Sequence, residues 1–438
     1  MEPVETADFN DLVVRYLGQR LPASLADQID WPALSPEAQG FILRLLALMQ
    51  RSGCPTTEFN AQTIWLLATV TPAMLPSAWG GRIPPLTAPG RHRKLDAYVK
   101  HLTRPTTDGR PVFIDLGCGF PPVTTVDTAG SLPDWSVYGV DPSFSRYVLY
   151  DAEGRYACFN RDGQFQYFQS PLKPLNDTPE AVRKSFQSLF ADLYPHLPAP
   201  DDHERTSFAR DGHRLVSNHI RDYESENLTF IKSKIENLRL PPARLIRCMN
   251  VLLYFEQHVR ETMLSSIADR LDDDGQLITG FNHPFGIYAR YAVYRKKAAR
   301  MVPCEFAFGL DNLRPLGTGP WVTLAEEDRE AELLADLTGV LRQDPDFWGE
   351  FAPYVDDLRE KLGIGRRMGD GFLHFTEAVQ KAPPQVLLEK TTRLWQQAEA
   401  DGHAAGAVEA LARAGYDAWI NPVGDIAVVP PEGALLAS

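Results

Sequence analysis

The stretch Val112-Phe113-Ile114-Asp115-Leu116-Gly117-Cys118-Gly119 puts a carboxylate and two glycines at the end of an apolar, strand-like run. Such a turn lies at the carboxyl edge of a sheet, where open α/β folds bind ligands, and glycine lets a ligand approach the backbone closely. A dinucleotide site asks for a third glycine so that the following helix packs close to the sheet. Here Gly117-Cys118-Gly119-Phe120-Pro121-Pro122 carries proline at that place, which weakens a pyrophosphate reading. No Gly-Lys-Ser/Thr follows, so a P-loop fails outright. Asp141-Pro142 closes the next strand-like run, SVYGV. A carboxylate there can accept hydrogen bonds from both hydroxyls of a nucleoside's ribose.

Further along, LIRCMNVLLYF offers Asn250, Val251 and Tyr254 at the end of another strand, followed by Glu256 and His258. Just past QLITGF comes Asn282-His283-Pro284. His283 is the candidate base or acceptor-orienting group, with Asn282 and Tyr254 beside it. Tyr254 and Phe255 also suit a pocket wall, and Asn250 inside an apolar strand can be structural. His196, His203, His213 and His219 lie among Asp201, Asp202 and Glu204, but the spacings match no standard ligand pattern, and no metal is expected. The basic run Arg91-His92-Arg93-Lys94 reads as a solvated helix face more readily than as a carboxylate site.

Five runs of strand character must position these residues: VFIDL, SVYGV, LTFIK from Leu228, part of LIRCMNVLLYF, and QLITGF. Helical patterns lie between several of them, notably over 259–271, and the alternation implies a parallel sheet with helices on both faces. Residues 302–308 and 321–324 could add edge strands. The gap between Asp141 and Leu228 is far longer than an ordinary crossover. Within it, 147–169 reads as strands separated by the hairpin turns Asp151-Ala152-Glu153-Gly154 and Asn160-Arg161-Asp162-Gly163. Residues 178–193 then read as an amphipathic helix. The first hundred residues read as helical, with Ser35-Pro36-Glu37 as a cap and first turn. Residues 72–89, rich in Pro and Gly, read as a loop. After about 325 the chain is helical again and ends in a hairpin over 418–429.

At 438 residues the chain is too long for one comfortable core. Apolar residues at 44% and charged residues at 23% are ordinary globular values, which excludes wholesale disorder. The net charge of −13 disfavours a general nucleic-acid binder. No apolar run approaches the ~20 residues of a membrane span. The N-terminus shows no signal-peptide core. Five scattered cysteines, never in a C-x-x-C pair, argue against a disulfide framework and for a reducing compartment. A cytoplasmic protein with no membrane or nucleic-acid partner is the expectation; the oligomeric state is not legible.

FIDLGCG followed by VYGVDPS resembles motifs I and II of the class I S-adenosylmethionine-dependent methyltransferases. LIRCMNVLLYF followed by DDDGQLITGF resembles that family's motif IV and fifth strand, and the fourth-strand run is similar to that of the chemotaxis-receptor glutamate methyltransferases. The resemblance covers about 91–324. It implies a Rossmann-like α/β core over those residues with an insertion at 143–227, a helical cap over 1–90 and a mainly helical extension over 325–438.

The resemblance also implies S-adenosyl-L-methionine as cofactor. Asp115, Gly117, Cys118 and Gly119 would line its methionine portion, and Asp141 with Pro142 would hold the ribose. Asn250 and Val251 would lie near the amino group. The family's acid after the third strand is replaced by Lys234, so Glu236 or the backbone around Ile235 would meet the adenine. The expected acceptor is a small or medium molecule, or a group on a peptide or carrier protein. Transfer or cyclisation of the aminocarboxypropyl chain, and a non-catalytic regulator, are the alternatives. The insertion's aromatic residues, Tyr150, Tyr156, Phe159, Phe165, Tyr167 and Phe168, either shape the acceptor pocket or form a small core of their own.

Overall fold

The structure, a computed structural model, describes residues 8–70, 87–102, 109–169, 178–198, 204–283, 289–314 and 328–436. The expected edge strand at 321–324 lies outside them, as do Asp201, Asp202, His203, Pro284 and most of the loop over 72–89. The chain forms two compact units, one of residues 74–90 with 106–241, the other of 1–73, 91–105 and 242–438. The fold is Rossmann-like α/β, with helices near both termini. No described helix is long and apolar enough to cross a membrane.

In the first unit, β1 (Val112–Leu116) pairs in parallel with β2 (Ser136–Val140), from Val112↔Ser136 to Leu116↔Val140. Every residue of β1 is buried, which is why its sequence is an apolar run rather than an alternation. The helix Val123–Ser131 leads from β1 to β2. Gly139 on β2 is required by its neighbour: a Cβ there would stand 2.5 Å from the Phe230 ring.

The insertion is larger than the hairpin and helix expected from its sequence. It contains β3 (Tyr147–Tyr150), β4 (Tyr156–Phe159), β5 (Phe165–Gln169), β6 (Ser207–Arg210) and β7 (His213–Ser217). They form an antiparallel sheet in the order β5-β4-β3-β7-β6. The Asp151–Gly154 and Asn160–Gly163 turns stand where the sequence placed them, each closed by a backbone bond from glycine to the acidic or amide residue that opens it. The helix Pro179–Leu193 begins as read, with Thr178 Oγ1 accepting from Ala181 N at 3.2 Å and proline in its first turn. Its Val182, Phe186, Phe190 and Leu193 cover one face of the sheet, made of Leu149, Ala157, Phe159, Phe168 and Leu215. Chain then returns to the first sheet as β8 (Leu228–Ile231), parallel to β2.

In the second unit, β9 (Ala243–Met249) pairs in parallel with β10 (Leu271–Asn282) across the helix Gln257–Ala268. β10 starts earlier than read, because the register shifts between Leu271 and Gln276 and the acidic run between them belongs to the strand. β11 (Ala289–Lys297), which the sequence did not announce, runs antiparallel to β10, and β12 (Arg300–Phe308) is antiparallel to β11. A separate pair, β13 (Gly365–Arg367) and β14 (Leu373–Phe375), interrupts the C-terminal helices. The final hairpin, β15 (Ala418–Ile420) and β16 (Ile426–Val428), joins the sheet through β12. Ser35 caps the N-terminal helix Pro36–Arg51, accepting from Ala38 N at 3.2 Å.

Candidate functional site

The turn after β1 is built by backbone geometry that side chains resist. Gly117 and Gly119 have φ of 72° and 63°, in the left-handed region where a Cβ is strained. Gly117 N donates to Val140 O at 2.7 Å, and Gly119 N donates to Asp141 Oδ2 at 3.0 Å. The carboxylate at the end of β2 therefore holds the glycine turn at the end of β1. Asp141 Oδ1 accepts from Ser143 N at 2.7 Å and from Ser143 Oγ at 2.6 Å. Sequence reasoning missed Ser143, although Asp-Pro-Ser is the pattern of an Asx turn, in which a carboxylate bonds the backbone two residues on. Asp115, also buried, accepts from Thr125 Oγ1 at 2.6 Å, in the first turn of the following helix.

The donors in these contacts to the two carboxylates are neutral groups. The Cys118 thiol responds: burial first, then Asp115 and Asp141, push its pKa well above the ordinary thiol value. It stays protonated at neutral pH. Pro142 is exposed beside Asp141. Ile235 and Glu236 sit in the 3-10 turn Ile235–Asn237 that follows β8, with Ile235 buried and Glu236 exposed.

The insertion's second face meets this turn. Its residues Val148, Cys158 and Tyr167 cluster with Phe120, the residue after Gly119, and with the half-buried Tyr150, Tyr156 and Tyr223. Phe120 stands edge-on to Tyr156 and Tyr223, each at 6.0 Å between centroids. The expected aromatic set thus divides by strand alternation, except that the register shift between Cys158 and Phe159 brings Phe165 opposite Phe159, on the face away from Tyr167. Phe159, Phe165 and Phe168 belong to the insertion's own core, while Tyr150, Tyr156 and Tyr167 face the turn.

In the second unit, the structure joins Asn250, Asn282 and Arg91. Asn250 has φ of 58° and donates its N–H to Gly280 O at 2.8 Å, so its side chain folds back to accept from Asn282 N at 3.1 Å. Arg91 Nε donates to Asn282 Oδ1 at 3.0 Å and to His283 O at 3.2 Å, and Asn282 Nδ2 returns a bond to Arg91 O. The basic run divides: Arg91 clamps the end of β10 and His92 is buried, while Arg93 and Lys94 are exposed as a solvated face would have them, Lys94 Nζ standing 2.6 Å from Asp425. Val251 precedes the 3-10 turn Leu252–Tyr254, which leaves Tyr254 exposed. Burial, with Arg314 and Arg91 adding to it, pulls the His283 pKa down to about 3. A base that weak is poorly matched to work at neutral pH. His196 stacks on Phe208, and among the described residues no three His, Cys, Asp or Glu side chains are placed to share a metal ion.

No family model matches the chain, and no curated protein does. Solved structures do match in fold, and among them are methyltransferases, two of them with SAH bound. Magnesium protoporphyrin IX methyltransferase from Synechocystis PCC 6803 with bound SAH is 13% identical over 43% of this chain and 54% of that one, at a TM-score of 0.20. Precorrin-6y C5,15-methyltransferase from Geobacter metallireducens GS-15 is 9% identical over 43% and 60%, at 0.18. The plantazolicin methyltransferase in complex with SAH is 9% identical over 55% and 62%, at 0.24. The matched part spans less than two thirds of each of these proteins.

Proposed function

We propose that the chain is an S-adenosylmethionine-dependent methyltransferase acting on a small or medium molecule, or on a group carried by a peptide or carrier protein. The observation that carries this reading is the bond from Gly119 N to Asp141, which ties a left-handed glycine turn to a carboxylate at the ends of two adjacent parallel strands. That edge is where a nucleoside cofactor fits an open α/β sheet. The donor set suits it: three donors occupy three of the roughly four lone-pair directions of the Asp141 carboxylate. A ribose hydroxyl takes the fourth, and the rotatable Ser143 hydroxyl gives way to a second. The carboxylates of Asp115 and Asp141 favour a cationic sulfonium.

When bound, the cofactor supplies an electrophilic methyl group whose transfer discharges the sulfonium. The chain's part is to hold the donor in line with the acceptor, to keep water out, and to take a proton where the acceptor starts protonated. Asp115, Gly117, Cys118 and Gly119 would line the methionine end, and Asp141 and Pro142 the ribose. Ile235 and Glu236 would border the adenine. In the second unit, Asn250 and Val251 are proposed on the cofactor side, with Tyr254, Asn282 and His283 on the acceptor side. Asn250 accepts from Asn282 N through one lone pair of its oxygen, and its amide Nδ2 is a donor suited to a carboxylate or carbonyl.

Titration calorimetry with S-adenosylmethionine and S-adenosylhomocysteine tests the reading. Both are expected to bind one site per chain, and Asp141→Ala is expected to lose about tenfold or more, since each bond to a charged acceptor is worth ~1.5–3 kcal/mol. Binding of neither ligand, or unchanged binding by Asp141→Ala, refutes it.

A further inference from the structure

The tyrosine-bearing face of the insertion holds a side-chain chain of contacts that the cofactor site does not use. Tyr150 Oη stands 2.8 Å from His219 Nε2, and His219 Nδ1 stands 3.4 Å from Asp222 Oδ2. His219 is 8% exposed and opens the 3-10 turn His219–Tyr223, which also carries Asp222. Asn218, just before it, has φ of 49°, and its side chain bonds Glu204 O at 2.7 Å. That left-handed residue thus fixes the backbone at the entry to the turn. The ring lies 5.4 Å from that of Phe120, which directly follows Gly119. Tyr167 Oη reaches Phe120 O at 3.5 Å. The Tyr150–His219 pair is therefore one side chain away from the glycine turn, within aromatic surroundings.

One hydrogen bond and one nearby charge order the three groups. Asp222 faces Nδ1, which favours the tautomer with its proton there and leaves the Nε2 lone pair to accept from the Tyr150 hydroxyl. Tyr150 oxygen lone pairs are then what the pair presents outward. Among the described residues His219 Nδ1 makes no hydrogen bond, so Asp222 acts on the ring through its charge alone, while the Tyr150 hydroxyl is its hydrogen-bond partner.

We propose that Tyr150, His219 and Asp222 form the proton-taking relay of the acceptor site, and that the acceptor is an apolar or aromatic molecule methylated on a hydroxyl. The proposal rests on the methyltransferase reading. In the step, the acceptor oxygen bonds to the methyl carbon as the carbon–sulfur bond breaks, and that bond's electron pair stays on sulfur, which becomes a neutral thioether. The acceptor's proton passes to Tyr150 Oη while the tyrosine's own proton passes to His219 Nε2. The positive charge lost from sulfur thus reappears on the imidazolium, facing Asp222. A hydroxyl is the acceptor that needs this help, since a carboxylate is ready to attack without a base. The aromatic lining disfavours an acceptor that arrives charged.

The charged groups around the relay are consistent with that role. Arg214 lies over the Tyr150 ring at 4.8 Å, and Arg205 Nε stands 2.6 Å from Asp222 Oδ1. Burial lowers the His219 pKa and Asp222 opposes the shift, with Arg205 and Arg214 acting the other way. The imidazole is neutral, and so able to accept, at neutral pH. At His283, by contrast, Arg314 and Arg91 add to the lowering by burial.

Two measurements on the full chain test the relay. With isotope-labelled histidine, and His219→Gln to assign the resonance, the His219 ring signals are expected to move on binding S-adenosylhomocysteine. They are expected to move differently with S-adenosylmethionine, since only that ligand carries the sulfonium charge. Identical His219 signals in the two complexes overturn the placement. If neither ligand binds, the methyltransferase reading falls instead. The second measurement follows methylation of 4-nitrophenol by S-adenosylmethionine, read as 4-nitroanisole formed, at pH values below and above the probe's own ionisation. Below it, His219→Gln and Tyr150→Phe are each expected to lose about tenfold or more in rate against the parent, and above it, where the probe arrives already deprotonated, the deficit is expected to shrink. No 4-nitroanisole with the parent, or an undiminished rate in both variants, overturns the relay.

Discussion

The two faces of the insertion sheet are cut from the same strands, yet they hold together differently. On one, Leu149, Ala157, Phe159 and Phe168 meet the helix Pro179–Leu193 with hydrocarbon, and Tyr147, edge-on to Phe190, adds one hydroxyl-bearing ring to that cluster. Phe159 is fully buried and stacks on Phe190 at 4.2 Å. On the other, every large ring except Phe120 carries a polar atom: Tyr150, Tyr156, Tyr167, Tyr223 and His219. Packing energy is nearly all that the first face can supply. The second gives up part of that energy to keep hydroxyls beside a glycine turn, and natural sequences make such concessions mainly at sites that work. The contrast predicts that stability lives on one face and chemistry on the other.

The largest effect should come from emptying the hydrocarbon face. Phe159→Ala removes a fully buried ring that stacks on Phe190, and a loss of about 3–5 kcal/mol is expected. Chemical denaturation followed by circular dichroism measures it. A loss under about 1 kcal/mol would mean that this face is not the insertion's core.

How far the sequence foretold this arrangement depends on how local each signal is. The β1 run, the glycine pair and Asp141 are read from contiguous residues, and all of them meet at one turn. The two hairpin turns and the Thr178 cap are local as well. β11 escaped notice because Arg290, buried at 1% exposure against Asp328, and the charged Arg295-Lys296-Lys297 end make its segment look polar. The start of β10 was hidden by Asp272-Asp273-Asp274, where Asp274 takes φ of 63° in an irregular stretch. The clamp of Arg91 on Asn282 spans 191 positions, and the Tyr150–His219 contact spans 69. Nothing in a helical or strand period announces a pair so far apart. Alternation did say that the insertion's aromatic residues would divide between two faces, but not which face would meet the turn.

A middle-sized effect should separate the faces by pH. The His219 pKa is lowered from 6.5, chiefly by burial, so the folded chain binds a proton there less readily than the unfolded chain does. The stability tied to the neutral ring is therefore present above about 6.5 and is lost as the pH falls through the lowered folded value. Glutamine has no such proton to gain. The melting temperature of the parent is expected to fall more steeply on acidification than that of His219→Gln, while Phe159→Ala should show the parent's slope displaced downward. Parallel pH profiles for parent and His219→Gln would contradict the neutral, buried ring.

The smallest expected change in stability sharpens the comparison most. Tyr150→Phe keeps the ring, its packing against Tyr156 at 5.7 Å and its place under Arg214, and removes only the oxygen that stands 2.8 Å from His219. A hydrogen bond of this kind contributes ~0.5–1.5 kcal/mol, and the unpaired Nε2 left behind adds to the loss only where water cannot reach it. Tyr150 is half-buried, so solvent can take up part of the deficit. The variant should therefore melt within a few degrees of the parent, given that ~1 kcal/mol moves the midpoint of a chain longer than 150–250 residues by no more than about 2–4 °C. Its affinity for S-adenosylmethionine should be nearly unchanged, because the cofactor contacts proposed for the turn run through Gly117, Gly119 and Asp141. A large loss of stability, approaching that of Phe159→Ala, would show that the tyrosine face is a second core. A large loss of cofactor affinity with stability intact would move Tyr150 from the acceptor side of the turn to the cofactor itself.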